Sequence, residues 1–235
     1  MAHSVIVLCV SIAGLIAGWA IVITTDMFVL VDVTDADPWL DPDETQARVD
    51  EPALPSWLAV TVLLVTELLS LGAFDRSEGL LSYLALFLVL FSLFAIALLD
   101  LRWQLIPLNL FIPLALGSVA WVLLHPITMW LWVISGGLTL VGVLIWLTHP
   151  GRRNYGDLLL AVFVGLFCGA GIASLWQALA IADRLAIGIC VGWMAILIYS
   201  FVTPPDDPKG EPFAKQVVAV GPMFLSIVLC VVFLR

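Results

Sequence analysis

Apolar runs of membrane-span length follow one another along almost the whole chain, and this succession limits the fold more than any other feature. A helix that crosses a bilayer needs about 20 predominantly apolar residues. By that rule eight runs qualify, at 4–24, 56–74, 80–99, 108–125, 127–148, 158–181, 185–202 and 213–234. Polar punctuation separates them. Asp75-Arg76-Ser77-Glu78-Gly79 stands between the second and third, and His125-Pro126 between the fourth and fifth. Asp183-Arg184 splits the sixth from the seventh, and a polar loop around Pro204, Pro205 and Pro208 precedes the eighth. The first half of the eighth run is itself broken by Lys215, Gln216, Gly221 and Pro222. Hydrocarbon offers no water to backbone N–H and C=O groups, so spans of this composition must be helical. The expected fold is all-α, a polytopic transmembrane helical bundle of about eight spans.

Composition closes off the alternatives. Hydrophobic residues make up 63% of the 235 and charged residues 11%. A soluble domain has roughly 45–50% and about 25%, and a core this small cannot hide the excess. The first run, from Ser4 to about Thr24, has no positive segment before it and exceeds the apolar core of a secretory signal. It is expected to be a retained transmembrane helix.

The net charge of −9 argues against nucleic acid as a partner. It is unevenly spread. Nine of the eighteen acids fall in 25–55, against one base, Arg48, and Pro38, Pro42, Pro52 and Pro55 extend that stretch. It reads as a solvated loop, and its charge suits a basic partner segment. The chain thus divides into a first transmembrane helix at 1–24, an acidic loop at 25–55 and a transmembrane core at 56–235. Basic residues gather on the cytoplasmic side of membrane proteins. With the N-terminus outside, six bases lie inside (Arg48, Arg102, Arg152, Arg153, Lys209 and Lys215) and three outside (Arg76, Arg184 and Arg235). The acidic loop is then cytoplasmic.

Cys9, Cys168, Cys190 and Cys230 each sit in an apolar run and form no CxxC pair; His3, His125 and His149 are widely spaced. Neither set makes a metal site, and no cofactor is expected.

Two carboxylates stand out by position. Asp100 ends the third run, in Asp100-Leu101-Arg102-Trp103-Gln104-Leu105-Ile106-Pro107, and Asp157 opens the sixth, after Asn154-Tyr155-Gly156. The charge count puts both at the cytoplasmic membrane boundary. Ionisable groups at that depth are costly and tend to be functional. Singly, Asp157 also suits a helix N-cap and Asp100 a boundary pair with Arg102.

Together these residues resemble the prepilin peptidase family, the type IV leader peptidases that are aspartyl proteases of the membrane. Asp100 followed by Ile106-Pro107 and then Pro113 is similar to the family's first motif. Gly156-Asp157 followed by Gly165 and Gly169 is similar to its second. Gly221-Pro222 resembles the Gly-Pro near the start of the last family helix, and Gly14 to Gly18 its glycine-rich opening helix. The chain departs from the pattern at Asn154, Leu108 and Leu159. It also lacks the four-cysteine zinc module found between the first two helices of bifunctional members. The resemblance therefore implies leader-peptide cleavage but neither zinc nor N-methyl transfer.

By that resemblance Asp100 and Asp157 are the catalytic pair. The implied substrate is a prepilin-like protein, a type IV pilin or pseudopilin, whose basic leader is cut at the cytoplasmic face of a bacterial inner membrane. Its apolar helix would dock among the spans. Two carboxyls sharing one proton hydrolyse a peptide when one takes a proton from water and the other polarises the carbonyl. The helix dipole favours a carboxylate at a helix N-terminus, so Asp157 is expected to be the base and Asp100 the acid. Gly156 lets substrate approach closely, Pro107 opens the fourth helix, and Gly165 with Gly169 admits a neighbouring helix.

Glu67, near the middle of the second run, is expected to hydrogen-bond inside the bundle or to line a substrate channel. A different class of function is also compatible with the residues, an inactive peptidase-like assembly factor or a small transporter.

Overall fold

The computed structural model describes residues 2–32, 56–103, 108–148, 155–202 and 220–234. They form eight α-helices and one 3₁₀ turn, with no strand among the described residues. The helices are α1 (Ala2–Asp32), α2 (Ser56–Arg76), α3 (Leu80–Trp103), α4 (Phe111–Leu124), α5 (Met129–Thr148), α6 (Tyr155–Gly169), α7 (Leu175–Val202) and α8 (Gly221–Phe233), and the 3₁₀ turn Leu108–Leu110 leads into α4. In α1, α2, α3 and α7 the apolar stretches Ser4–Ile23, Ser56–Arg76, Leu80–Leu101 and Leu175–Ile198 are long enough to cross a membrane. The other four helices are apolar but shorter. The chain is a helical membrane bundle, as its apolar runs require.

The interior is mainly apolar, as in a soluble protein, but the outward faces are apolar too, which supports the same conclusion. Trp57, Leu123, Trp132 and Trp176 are exposed, whereas Ser70, Ser92, Ser118 and Asp100 are buried. Lipid solvates the apolar faces, so polar groups turn inward toward one another.

Two stretches differ most from the sequence reading: α1 continues to Asp32, eight residues into the stretch read as acidic loop, and the break between the sixth and seventh spans lies elsewhere. The sixth span does not run from 158 to 181, and Asp183-Arg184 does not split the sixth from the seventh. Helix α6 stops at Gly169, and α7 runs without a break through Asp183 and Arg184. Gly171 takes φ +78°, a left-handed conformation that ends the preceding helix without the strain a side chain would add. A capping box then starts α7. The Gln177 carboxamide accepts from the N–H groups of Ala173 (2.8 Å) and Ser174 (3.2 Å), while the Gln177 N–H donates to the Ser174 hydroxyl (3.3 Å). Ser-x-x-Gln was legible as a helix start, but the flanking apolar residues masked it.

The chain packs as two compact units, Met1–Asp75 and Arg76–Arg235. In the first, α1 and α2 pack closely. A Cβ on Gly14 would meet the Glu67 Cα and Ser70 Cβ, both at 2.8 Å, and one on Gly18 would strike the Thr66 hydroxyl. The Ser70 hydroxyl donates to the Val10 carbonyl at 2.8 Å.

In the second unit, glycines again set how near the helices come. A Cβ on Gly165 would lie 2.8 Å from the Ser135 Cα and one on Gly169 2.9 Å from the Leu131 Cα, so α5 and α6 run antiparallel in tight contact. Gly188 and Gly192 do the same for α7 against α8, each such Cβ lying 2.5 Å from a Cα, that of Ile227 or Met223. Without a hydrophobic drive between helices in lipid, this close approach is what holds the bundle together. It also fixes which helix ends share a level.

Candidate active site

The C-terminal end of α3 and the N-terminal ends of α6 and α8 carry the site. Asp100 is in the last turn of α3 and only 4% exposed. A carboxylate so enclosed needs donors, and α8 supplies them. The Gly221 N–H donates to Asp100 Oδ2 at 2.6 Å, and the Val220 N–H also bears on the carboxylate. These are among the N–H groups that the first turn of a helix leaves without an intrahelical partner.

The approach requires glycine at 221. A Cβ there would lie 2.9 Å from the Ala97 Cα and 3.2 Å from Asp100 Oδ2. Pro222 follows in the first turn, where a missing N–H costs nothing. Gly-Pro thus brings bare backbone against a carboxylate and starts a helix on the next residue.

Asp157 lies in the first turn of α6, half-buried, so it is not the N-cap of a helix that begins at Tyr155. It is close enough to Asp100 to act on it electrostatically. Two residues 57 positions apart in sequence therefore come within electrostatic reach of one another at one end of the second unit. Gly156 beside it is buried. Gly165 and Gly169, two and three turns along α6, press it against α5, and Gly142 opposite admits the Ala161 methyl. Gly165 and Gly169 hold the level of Asp157 from a distance, whereas Gly142 faces its backbone, a Cβ there lying 3.5 Å from the Asp157 carbonyl oxygen.

Of the other sequence candidates, Pro107 and Ile106 lie outside the described residues, as do Asn154 and the acidic stretch from 33 to 55. Helix α1 itself continues to Asp32. Pro113 falls in the first turn of α4. Glu67 belongs to the first unit, where it accepts a hydrogen bond from the Ser11 hydroxyl, the bundle-facing bond expected of a carboxyl at that depth. The four cysteines are free.

Sequence reasoning noticed Gly221-Pro222 but gave it no part in the site. A contact between residues 121 positions apart leaves no local signal.

The chain matches no family model, no curated protein and no solved structure.

Proposed function

We propose that this protein is an aspartyl endopeptidase of the membrane boundary, with Asp100 and Asp157 as its catalytic pair. The observation that carries the reading is that these two carboxyls lie within electrostatic reach of one another at one end of the bundle, one of them anchored by backbone N–H groups from a third helix. Such a pair shares one proton. The ionised member takes a proton from water, the water oxygen attacks the scissile carbonyl, and the protonated member polarises that carbonyl. The C–N bond then breaks and the amine leaves with a proton from the pair.

Asp157, in the first turn of α6, is the base in this scheme, and Asp100, in the last turn of α3, the acid. The substrate is a prepilin-like protein with a basic leader and an apolar helix, cut on the cytoplasmic side of a bacterial inner membrane. The motif spacing around both aspartates supports that choice, and the bases at 102, 152 and 153 support the side.

Co-expression with a prepilin-like substrate tests the proposal. The parent chain releases the leader, and Asp100→Asn and Asp157→Asn each abolish release while the protein remains in the membrane. Equal processing by the parent and both variants, or none by the parent across a panel of such substrates, removes the peptidase reading.

A further inference from the structure

Asp100 is held by N–H groups of α8, so whatever sets the place of α8 also sets the place of that carboxyl. Helix α8 is short, and the residues of its first turn, Gly221, Pro222, Met223 and Phe224, are all buried. Two neighbours grip that turn. On one side Gly221 lies against α3, where a Cβ would be 2.9 Å from the Ala97 Cα. On the other is α7, which packs mainly on α8. Its closest approach is at two glycines one turn apart. A Cβ on Gly192 would lie 2.5 Å from the Met223 Cα, and one on Gly188 2.5 Å from the Ile227 Cα. Gly221 and Met223 are two residues apart, about 200° around a helix. Helices α3 and α7 therefore hold the same turn from nearly opposite sides.

The contact at Met223 is tied tightly to the carboxyl. The Val220 carbonyl accepts from the N–H groups of Met223 (3.1 Å) and Phe224 (3.3 Å). The same turn sends the Gly221 N–H to Asp100 Oδ2 at 2.6 Å, with the Val220 N–H also bearing on the carboxylate. A shift at Met223 reaches these donors within one turn. Ile227 lies about 9 Å further along the axis from Gly221, so a shift there can be taken up by tilt before it reaches them.

We propose that Gly192 is a positioning residue for Asp100. By letting α8 rest on the bare backbone of α7, it keeps the α8 donors in line with the carboxyl. Its bearing on catalysis rests on the peptidase reading; its bearing on the place of Asp100 does not. Alanine at 192 would need about 0.9 Å more room to reach ordinary contact at 3.4 Å. Movement straight toward α3 is blocked at Gly221, so α8 must tilt or slide. An N–H···O bond weakens steeply as its angle closes.

Residue-resolved hydrogen exchange on the full chain in detergent, together with turnover of a prepilin-like reporter, tests this. In the parent the Gly221 N–H should exchange slowly, and Asp100→Ala should speed it at least about tenfold. Gly192→Ala should speed it similarly with Asp100 still present. It should also lower kcat about 10- to 100-fold while KM stays within about threefold. Gly188→Ala is the matched variant, because it makes an equally close clash one turn further from the site. It should leave Gly221 exchange and kcat within about threefold of the parent. Equal effects of the two glycine variants on Gly221 exchange overturn the proposal, since loosening of the α7–α8 contact would then explain both. So does a parent whose Gly221 N–H exchanges as fast as in Asp100→Ala, a result that needs no glycine variant to fold. The expected exchange pattern in a chain that cleaves no prepilin-like substrate supports the positioning role and counts against the peptidase reading alone.

Discussion

Replacing Gly221 by alanine adds one methyl group at the contact on which the candidate site depends. The new Cβ would lie 2.9 Å from the Ala97 Cα and 3.3 Å from the Ala97 nitrogen, both backbone atoms of α3 that cannot rotate away. Ordinary contact begins near 3.4 Å, so α8 must retreat from α3 by about 0.5 Å. The same retreat stretches the 2.6 Å bond from Gly221 to Asp100 to about 3.1 Å. Overpacking of this kind costs about 1–3 kcal/mol, and weakening a bond to a charged or partly charged group adds a fraction of its ~1.5–3 kcal/mol. Thermal unfolding in detergent should therefore show Gly221→Ala less stable by about 1–3 kcal/mol. Cleavage of a prepilin-like reporter should slow about 10- to 100-fold, because catalysis is sensitive to displacements on the order of 1 Å. Gly137→Ala is the matched control. It adds the same methyl within α5, where nothing lies within 4 Å of the new atom, and removing a helix glycine gains up to about 1 kcal/mol. If the two variants behave alike in stability, crowding at α3 is not what makes Gly221 necessary. If Gly221→Ala is destabilised but cleaves at the parental rate, α8 does not position Asp100.

The other expectations rest on the same packing. Gly165→Val drives branched methyls into the Ser135 backbone, where even a Cβ would be 2.8 Å from the Cα; the unfolding midpoint in detergent should drop by an amount equivalent to about 1–3 kcal/mol, and parental stability would show that α5 and α6 are not locked there. Ser118 has a fully buried hydroxyl with no hydrogen-bond partner among the described residues. Ser118→Ala removes the unmet group, so stability should hold or rise by up to about 1 kcal/mol. A clear loss in the same unfolding assay would mean that the hydroxyl has a partner after all.

The amino-acid sequence alone settles the solvent of this chain and most of its helices. Runs of twenty apolar residues leave the backbone no alternative to helix in a bilayer, and the runs at 56–74 and 80–99 correspond closely to α2 and α3. Where an apolar stretch continues past a helix end, composition loses its resolving power. Leu175 to Ile181 looked like the tail of the sixth span and is the start of α7, because a left-handed glycine and a capping box decide the break while hydropathy is blind to both. The two aspartates were legible as costly groups at span ends, and only a resemblance to the motifs of the prepilin peptidases suggested that they form a pair. Whether their helix ends share a level depends on how closely α5, α6, α7 and α8 approach, and that is set by glycines meeting backbone across interfaces distant in sequence. The backbone donors that hold Asp100 belong to a helix 121 residues away. Hydropathy is a property of each segment, so it can be read along the chain. The neighbours of a carboxylate are a property of the packed bundle and exist only once the helices have met.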